Sequence, residues 1–246
     1  MFTRSDDSGD GAPFFRSRGR ILAAGFLAAT LVISVISLVT GGDEGETRAV
    51  PAASRGPLSQ SLAKGTDRPE GCRTDDTARG LPKAAPADVK WRTVGGTRVP
   101  TSASAGPTRS TGPVRWCFAH TPMGAVMAAH IIPAQMTGPD WRSVIDEQVV
   151  AGFGRNLFVS QRSSLADTSL KTRQSGRYMG FAVEDYDKDS AKVNVLIKSP
   201  QGSFITTTVS VRWSNGDWKV EPGNDGGLHS TVTAVGGPDG FVQWEV

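Results

Sequence analysis

Residues 21–40, ILAAGFLAATLVISVISLVT, constrain this chain more than any other stretch. Twenty uncharged residues at 1.5 Å rise make a helix of about 30 Å, the thickness of a bilayer's hydrocarbon core. Arg16, Arg18 and Arg20 precede the run and the acidic GGDEGE follows it, so the charge order predicts one transmembrane helix with its N-terminus in the cytoplasm. A cleaved signal peptide shares this order, but its apolar region usually spans about 7–15 residues and ends near a small-residue cleavage site. The nearest such site, Val50-Pro51-Ala52, lies well past the run and beyond an acidic segment. The expectation is therefore a retained single-pass anchor in the cell membrane, with residues 1–20 inside and the remainder outside the cytoplasm.

Residues 41–88 are rich in Gly, Pro, Ala and charge and show no period of 2 or 3.6. Such a segment buries too little apolar surface to offset its chain entropy, which predicts a flexible, disordered tether. Residues 89–246 remain as the extracytoplasmic domain, long enough for one hydrophobic core. The 27 basic and 24 acidic residues are interspersed, so no basic stripe marks a nucleic-acid surface and no direct nucleic-acid partner is expected.

Within that domain Val89-Lys90-Trp91 reads as a short strand, the Gly- and Pro-dense segment from Gly95 to Pro113 as a loop, and Val114–Phe118 as a second short strand. Thr121-Pro122 is an N-cap followed by a proline at the first helical position, and a nearly all-apolar helix runs from there to Pro133. Residues 140–151 place Trp141, Val144, Ile145, Gln148 and Val149 on one helical face, with Gly152 and Gly154 as the stop. A third short helix is expected around Ser164 to Lys171.

From Arg177 onward the period is two. Strands are predicted over Tyr178–Glu184, AKVNVLIKS and FITTTVSVRW, and Asn215-Gly216 supplies a two-residue hairpin turn into Asp217–Val220. Phe241–Val246 adds an edge strand. Helices first and strands afterwards predict an α+β fold, with helices packed on a curved, cone-like antiparallel sheet.

Two histidines, His120 and His130, sit ten residues apart around the first helix. On a helix that spacing separates them by about 15 Å, so they cannot share one metal, and His130 reads as a packed residue. Asp185, Asp187 and Asp189 imitate the start of a calcium loop, but Ser190 and Leu196 stand where glycine and glutamate are needed. Asp146 and Glu147 read as charges on a helix surface. Neither G-x-S-x-G, a P-loop nor H-E-x-x-H occurs, so no catalytic, cofactor-binding or metal residue is assigned, no cofactor is expected, and the chain reads as a non-enzyme.

Cys72 and Cys117 are the only cysteines. The expected orientation places both outside the cytoplasm, where a bridge would persist and stabilise by about 4 kcal/mol. Two unpaired thiols, one mobile and one buried, are the equal alternative. Most of the six tryptophans fall on faces assigned to the core, and Trp141, His130, Trp213 and Trp218 are the residues read as a pocket or interaction surface.

The order of these features, together with GPVRWCFAHTPMGAVMAAHII and VRWSNGDWKVEP, resembles single-pass envelope proteins of actinomycetes. The folded part is similar to the nuclear-transport-factor-like domain of bitopic components of type IV secretion and conjugation machines. The resemblance implies a membrane-anchored scaffold or adaptor whose partners are the membrane and other envelope or transfer-complex proteins, with a homo-oligomer left open. A module for a small apolar ligand or cell-wall component, or an isomerase-like enzyme, are the alternatives on the same fold.

Overall fold

The Asn215-Gly216 turn organises the sheet at the centre of the domain. Both residues hold positive φ, at 55° and 76°, the conformation a tight hairpin requires between twisted strands. It joins Phe204–Ser214 to Asp217–Val220 and sets Trp213 opposite Trp218. The computed structural model describes residues 56, 58, 68–165 and 176–244, all within one compact unit of residues 52–246.

In chain order the strands are β1 (Lys90–Val94), β2 (Thr97–Thr101), β3 (Arg109–Thr111), β4 (Val114–Trp116), β5 (Arg177–Asp187), β6 (Ser190–Lys198), β7 (Phe204–Ser214), β8 (Asp217–Val220), β9 (Thr233–Val235) and β10 (Val242–Gln243). The helices are α1 (Pro122–Gln135), α2 (Trp141–Gln148) and α3 (Phe153–Ser163). The main sheet runs β10-β5-β6-β7-β8, with β9 beside the start of β7, and its pairings are antiparallel. Alternate residues Ala191, Val193 and Val195 of β6 and Thr207, Val209, Val211 and Trp213 of β7 are buried, the period-two pattern of a sheet covered on one face. All four residues of β8 are buried, because α1 crosses one side and α2 lies against it.

Sheet dominates this fold: among the described residues strand accounts for 35% and helix for 20%, which overturns the expected α+β layering of helices on a cone. The Gly- and Pro-dense segment read as a loop is the main cause. Gly95-Gly96 turns β1 into β2 and Gly112-Pro113 turns β3 into β4, so each glycine marks a turn between short strands. Nor is any helix among the described residues long and apolar enough to cross a membrane, and the run 21–40 expected to do so lies outside them.

The second half of the expected tether is fastened to the domain. Arg68 donates to Asp76 and to the Phe118 carbonyl, Arg109 Nε donates to the Gly71 carbonyl, and Cys72 is bonded to Cys117. Side chain to main chain contacts of this kind replace the apolar burial that the sequence lacks.

Helix α1 begins as its sequence dictates, with Thr121 Oγ1 accepting from the Gly124 N–H at 3.1 Å. It runs past Pro133 to Gln135, because a proline in the last turn forfeits one hydrogen bond and leaves the rest intact. Helix α3 occupies residues where a glycine stop had been read, while residues 166–171 of the expected third helix lie outside the described residues.

Candidate functional site

Two aromatic clusters flank α1, one at each end. At its start, the segment Cys117–His120 leads into the helix across the β7–β8 hairpin. His120 lies flat on Trp213, with 3.7 Å between ring centroids and 6° between planes, and Trp218 meets both rings edge-on. Arg68 covers Trp213 at 4.9 Å. Trp218 Nε1 donates to the Ala119 carbonyl at 2.9 Å, so the hairpin holds the approach to the helix.

The charges here are largely spent on the main chain. Asp217 is fully buried and accepts N–H groups from Cys117, Phe118 and Trp218 at 2.7, 2.9 and 3.0 Å. Burial still pushes its carboxyl up to about 6. Burial also raises Asp76, but hydrogen bonds from Arg68, the His120 N–H and Thr74 outweigh it and hold this carboxyl below its ordinary value. His120 is kept below the usual imidazole value by burial, against the pull of the Lys188 carbonyl and Asp189. Its Nε2 sits 2.8 Å from the Lys188 carbonyl and 3.3 Å from Asp189 Oδ1. Among the described residues no serine, threonine or cysteine side chain is hydrogen-bonded to His120, and both thiols are consumed in the disulfide.

At the far end of α1, His130 is fully buried in a box of Tyr178, Phe181 and Trp244. Trp244 Nε1, a pure donor, lies 3.3 Å from His130 Nε2, which fixes the proton on Nδ1, 2.8 Å from the Val126 carbonyl. Burial pushes this imidazole down to about 4, so it is neutral at physiological pH.

These placements correct the sequence reading of the surface. His130 and Trp218 are fully buried rather than part of a pocket or exposed patch, while Trp141 packs on Phe158 beneath Arg142 and Arg162 and lines a small hollow of about 160 Å³ with those two arginines. Trp213 lines a larger surface hollow, of about 520 Å³, with Asp187, Asp189, Arg212 and Asn215. Glu147, read as a surface charge, is 6% exposed. Sequence reasoning missed Arg68, Asp76 and Asp217 as a group, because they are separated by up to 149 positions. One local signal for Asp217 existed, since an acid following Asn-Gly begins a strand whose other residues are apolar or long-chained.

A second hollow, of about 420 Å³, opens between the β1–β2 hairpin and the start of β5, lined by Trp91, Arg98, Arg177 and Tyr178. Among the described residues no group of histidine, cysteine or carboxylate side chains has the arrangement of a metal site.

A disulfide-stapled, sheet-dominated domain is the class these features define. Residues 52–243 match the family described as domain of unknown function DUF8175, and the chain belongs to that family. The matched span begins within the segment read as tether, in keeping with the Arg68 and Cys72 anchorage. Neither a curated protein nor a solved structure gives a significant match.

Proposed function

We propose that this protein is a non-enzymatic scaffold or adaptor that positions other proteins of a conjugation- or secretion-type envelope complex outside the cytoplasm. The observation that carries the reading is the packing around helix α1. The two fully buried titratable side chains on either end of α1, His130 and Asp217, direct their polar atoms to Trp244 and to main-chain groups. A general acid or base needs a free path to substrate, and both groups lack one. The Cys72–Cys117 bridge supports an oxidising compartment. The transfer-complex setting rests on the resemblance of the Trp-Ser-Asn-Gly-Asp-Trp hairpin and the preceding helix to bitopic secretion components.

The test is crosslinking in intact cells followed by identification of the adducts. Recovery of envelope or transfer-channel proteins is expected; recovery of the uncrosslinked chain alone would count against the proposal. A second reading is a binding module for an anionic cell-wall component, favoured by Arg98 and Arg177 beside Trp91 and Tyr178 in one hollow. Retention on purified cell wall that Arg98→Ala abolishes would favour it.

A further inference from the structure

The short stretch around Gly56 and Leu58 is held by the domain in a manner that ordinary packing of a linker does not require. Leu58 is 0% exposed although it lies in a polar, Gly- and Ser-rich context. Its main-chain N–H donates to Glu147 Oε2 at 2.7 Å. Its carbonyl accepts from Lys219 Nζ at 3.4 Å and from Asn215 Nδ2 at 3.5 Å. The holders come from three elements far apart in sequence: α2, the β7–β8 turn and β8. Glu147 and Lys219 are 6% and 5% exposed, so two buried charges face the main-chain N–H and carbonyl of one residue, Leu58. Each compensates the other as well, since Glu147 is the strongest charge acting on the Lys219 ammonium.

Gly56 completes the arrangement. A Cβ at this position would collide with the Glu147 carboxylate. Only glycine admits the carboxylate that close to the chain. The site therefore reads glycine by contact and leucine by burial and by its own main-chain N–H and carbonyl, the way peptide-recognition sites combine backbone affinity with side-chain pockets.

We propose that Glu147, Asn215 and Lys219 form a peptide clamp for a glycine and a leucine two positions apart, and that Gly56 and Leu58 of this chain are its ligand. The clamp fixes where the N-terminal portion of the chain leaves the domain, ahead of the Arg68 and Cys72 anchorage. This inference stands apart from the scaffold proposal, because it concerns how the domain holds its own chain.

The test uses the full chain. Trypsin cleaves after Arg55, immediately before the clamped glycine. Gly56→Val removes the ligand and leaves the clamp intact, whereas Glu147→Ala does the reverse. Each should raise the rate of cleavage after Arg55 by about tenfold or more, as expected when a closed segment opens. A fluorescent peptide of residues 52–62 should bind the Gly56→Val chain and not the wild type, whose clamp is filled. Changing the glycine of that peptide to valine should abolish binding. The Leu58 amide of the wild type should exchange at least about a hundredfold more slowly than an unprotected amide. An unprotected Leu58 amide overturns the proposal however the variants fold, and so does peptide binding that ignores the glycine.

Discussion

Asp217 accepts the main-chain N–H of Cys117 at 2.7 Å across a hundred positions of sequence, so one buried carboxylate fastens the β7–β8 hairpin to the disulfide. The Phe118 and Trp218 amides complete its coordination. The same hairpin carries Trp213 and Trp218, and thereby orders the His120 stack. Removing this carboxylate should therefore be felt at the disulfide and at the aromatic cluster together.

The pH dependence of stability tests the environments of Asp217 and His130. Asp217 rises from an ordinary 3.8 to about 6 on folding, so its favourable contribution is fully present below about 4 and is lost as pH rises through about 6. His130 falls from 6.5 to about 4, so its contribution is present above about 6.5 and is lost as pH falls through about 4. The two oppose each other in the same window, each by about 3 kcal/mol. In urea melts, Asp217→Asn should lose about 3 kcal/mol more, relative to wild type, at pH 4 than at pH 7. Parallel profiles for the two proteins would show that the Asp217 environment is misdescribed.

Breaking the Cys72–Cys117 bridge should cost about 4 kcal/mol through the entropy of the 45-position loop it closes. Cys72→Ala with Cys117→Ala should lower the urea midpoint of the oxidised protein to that of the wild type in dithiothreitol. An unchanged midpoint on reduction would mean that the Arg68–Asp76 and Arg109–Gly71 contacts already hold the segment without it.

Trp244 both fills the box around His130 and donates to its Nε2. Trp244→Ala should cost about 3–5 kcal/mol, and Trp244→Phe, which keeps most of the volume and loses the donor, about 1–3 kcal/mol. Nitrogen chemical shifts should show His130 protonated at Nδ1 and untitrated down to about pH 5 in the wild type. Titration near the ordinary imidazole value would place this ring in contact with water.

Replacing Gly216 by valine forces a β-branched residue into φ of 76°, which should cost about 1–3 kcal/mol in a thermal melt. Ala128→Leu, at a fully buried position on α1, should cost a similar amount through overpacking. Normal melting of both variants would mean that the hairpin and the helix tolerate more slack than their burial indicates.

Local chemistry made part of this fold legible. The Thr121-Pro122 cap, the Asn215-Gly216 turn and the alternation of Val193, Val195, Val209 and Val211 each act over a few residues, and each is visible in sequence. The strands read at Val89–Trp91 and Val114–Phe118 meet β1 and β4, but their hairpin partners β2 and β3 were read as loop because strands of three to five residues carry too few alternations to stand out against their glycines. Helix α3 was lost because Gly152 serves as its first flanking residue rather than as a stop, and Phe153 is exposed. The site was the least legible part. Arg68, Asp76, His120, Asp189 and Trp213 meet only through tertiary structure, and the burial of Glu147 depends on Leu58, 89 positions earlier.

On the proposed function, the domain meets other proteins at its surface and its interior serves packing. Site-specific photo-crosslinking in living cells tests this most directly, with the reactive group placed at Ser214 beside the Trp213 hollow and, in parallel, at buried Ala128. The account predicts adducts from Ser214 that contain components of an envelope transfer or secretion complex, and none from Ala128. A small-molecule adduct from Ala128, or protein adducts from neither position in a chain that melts normally, would contradict it.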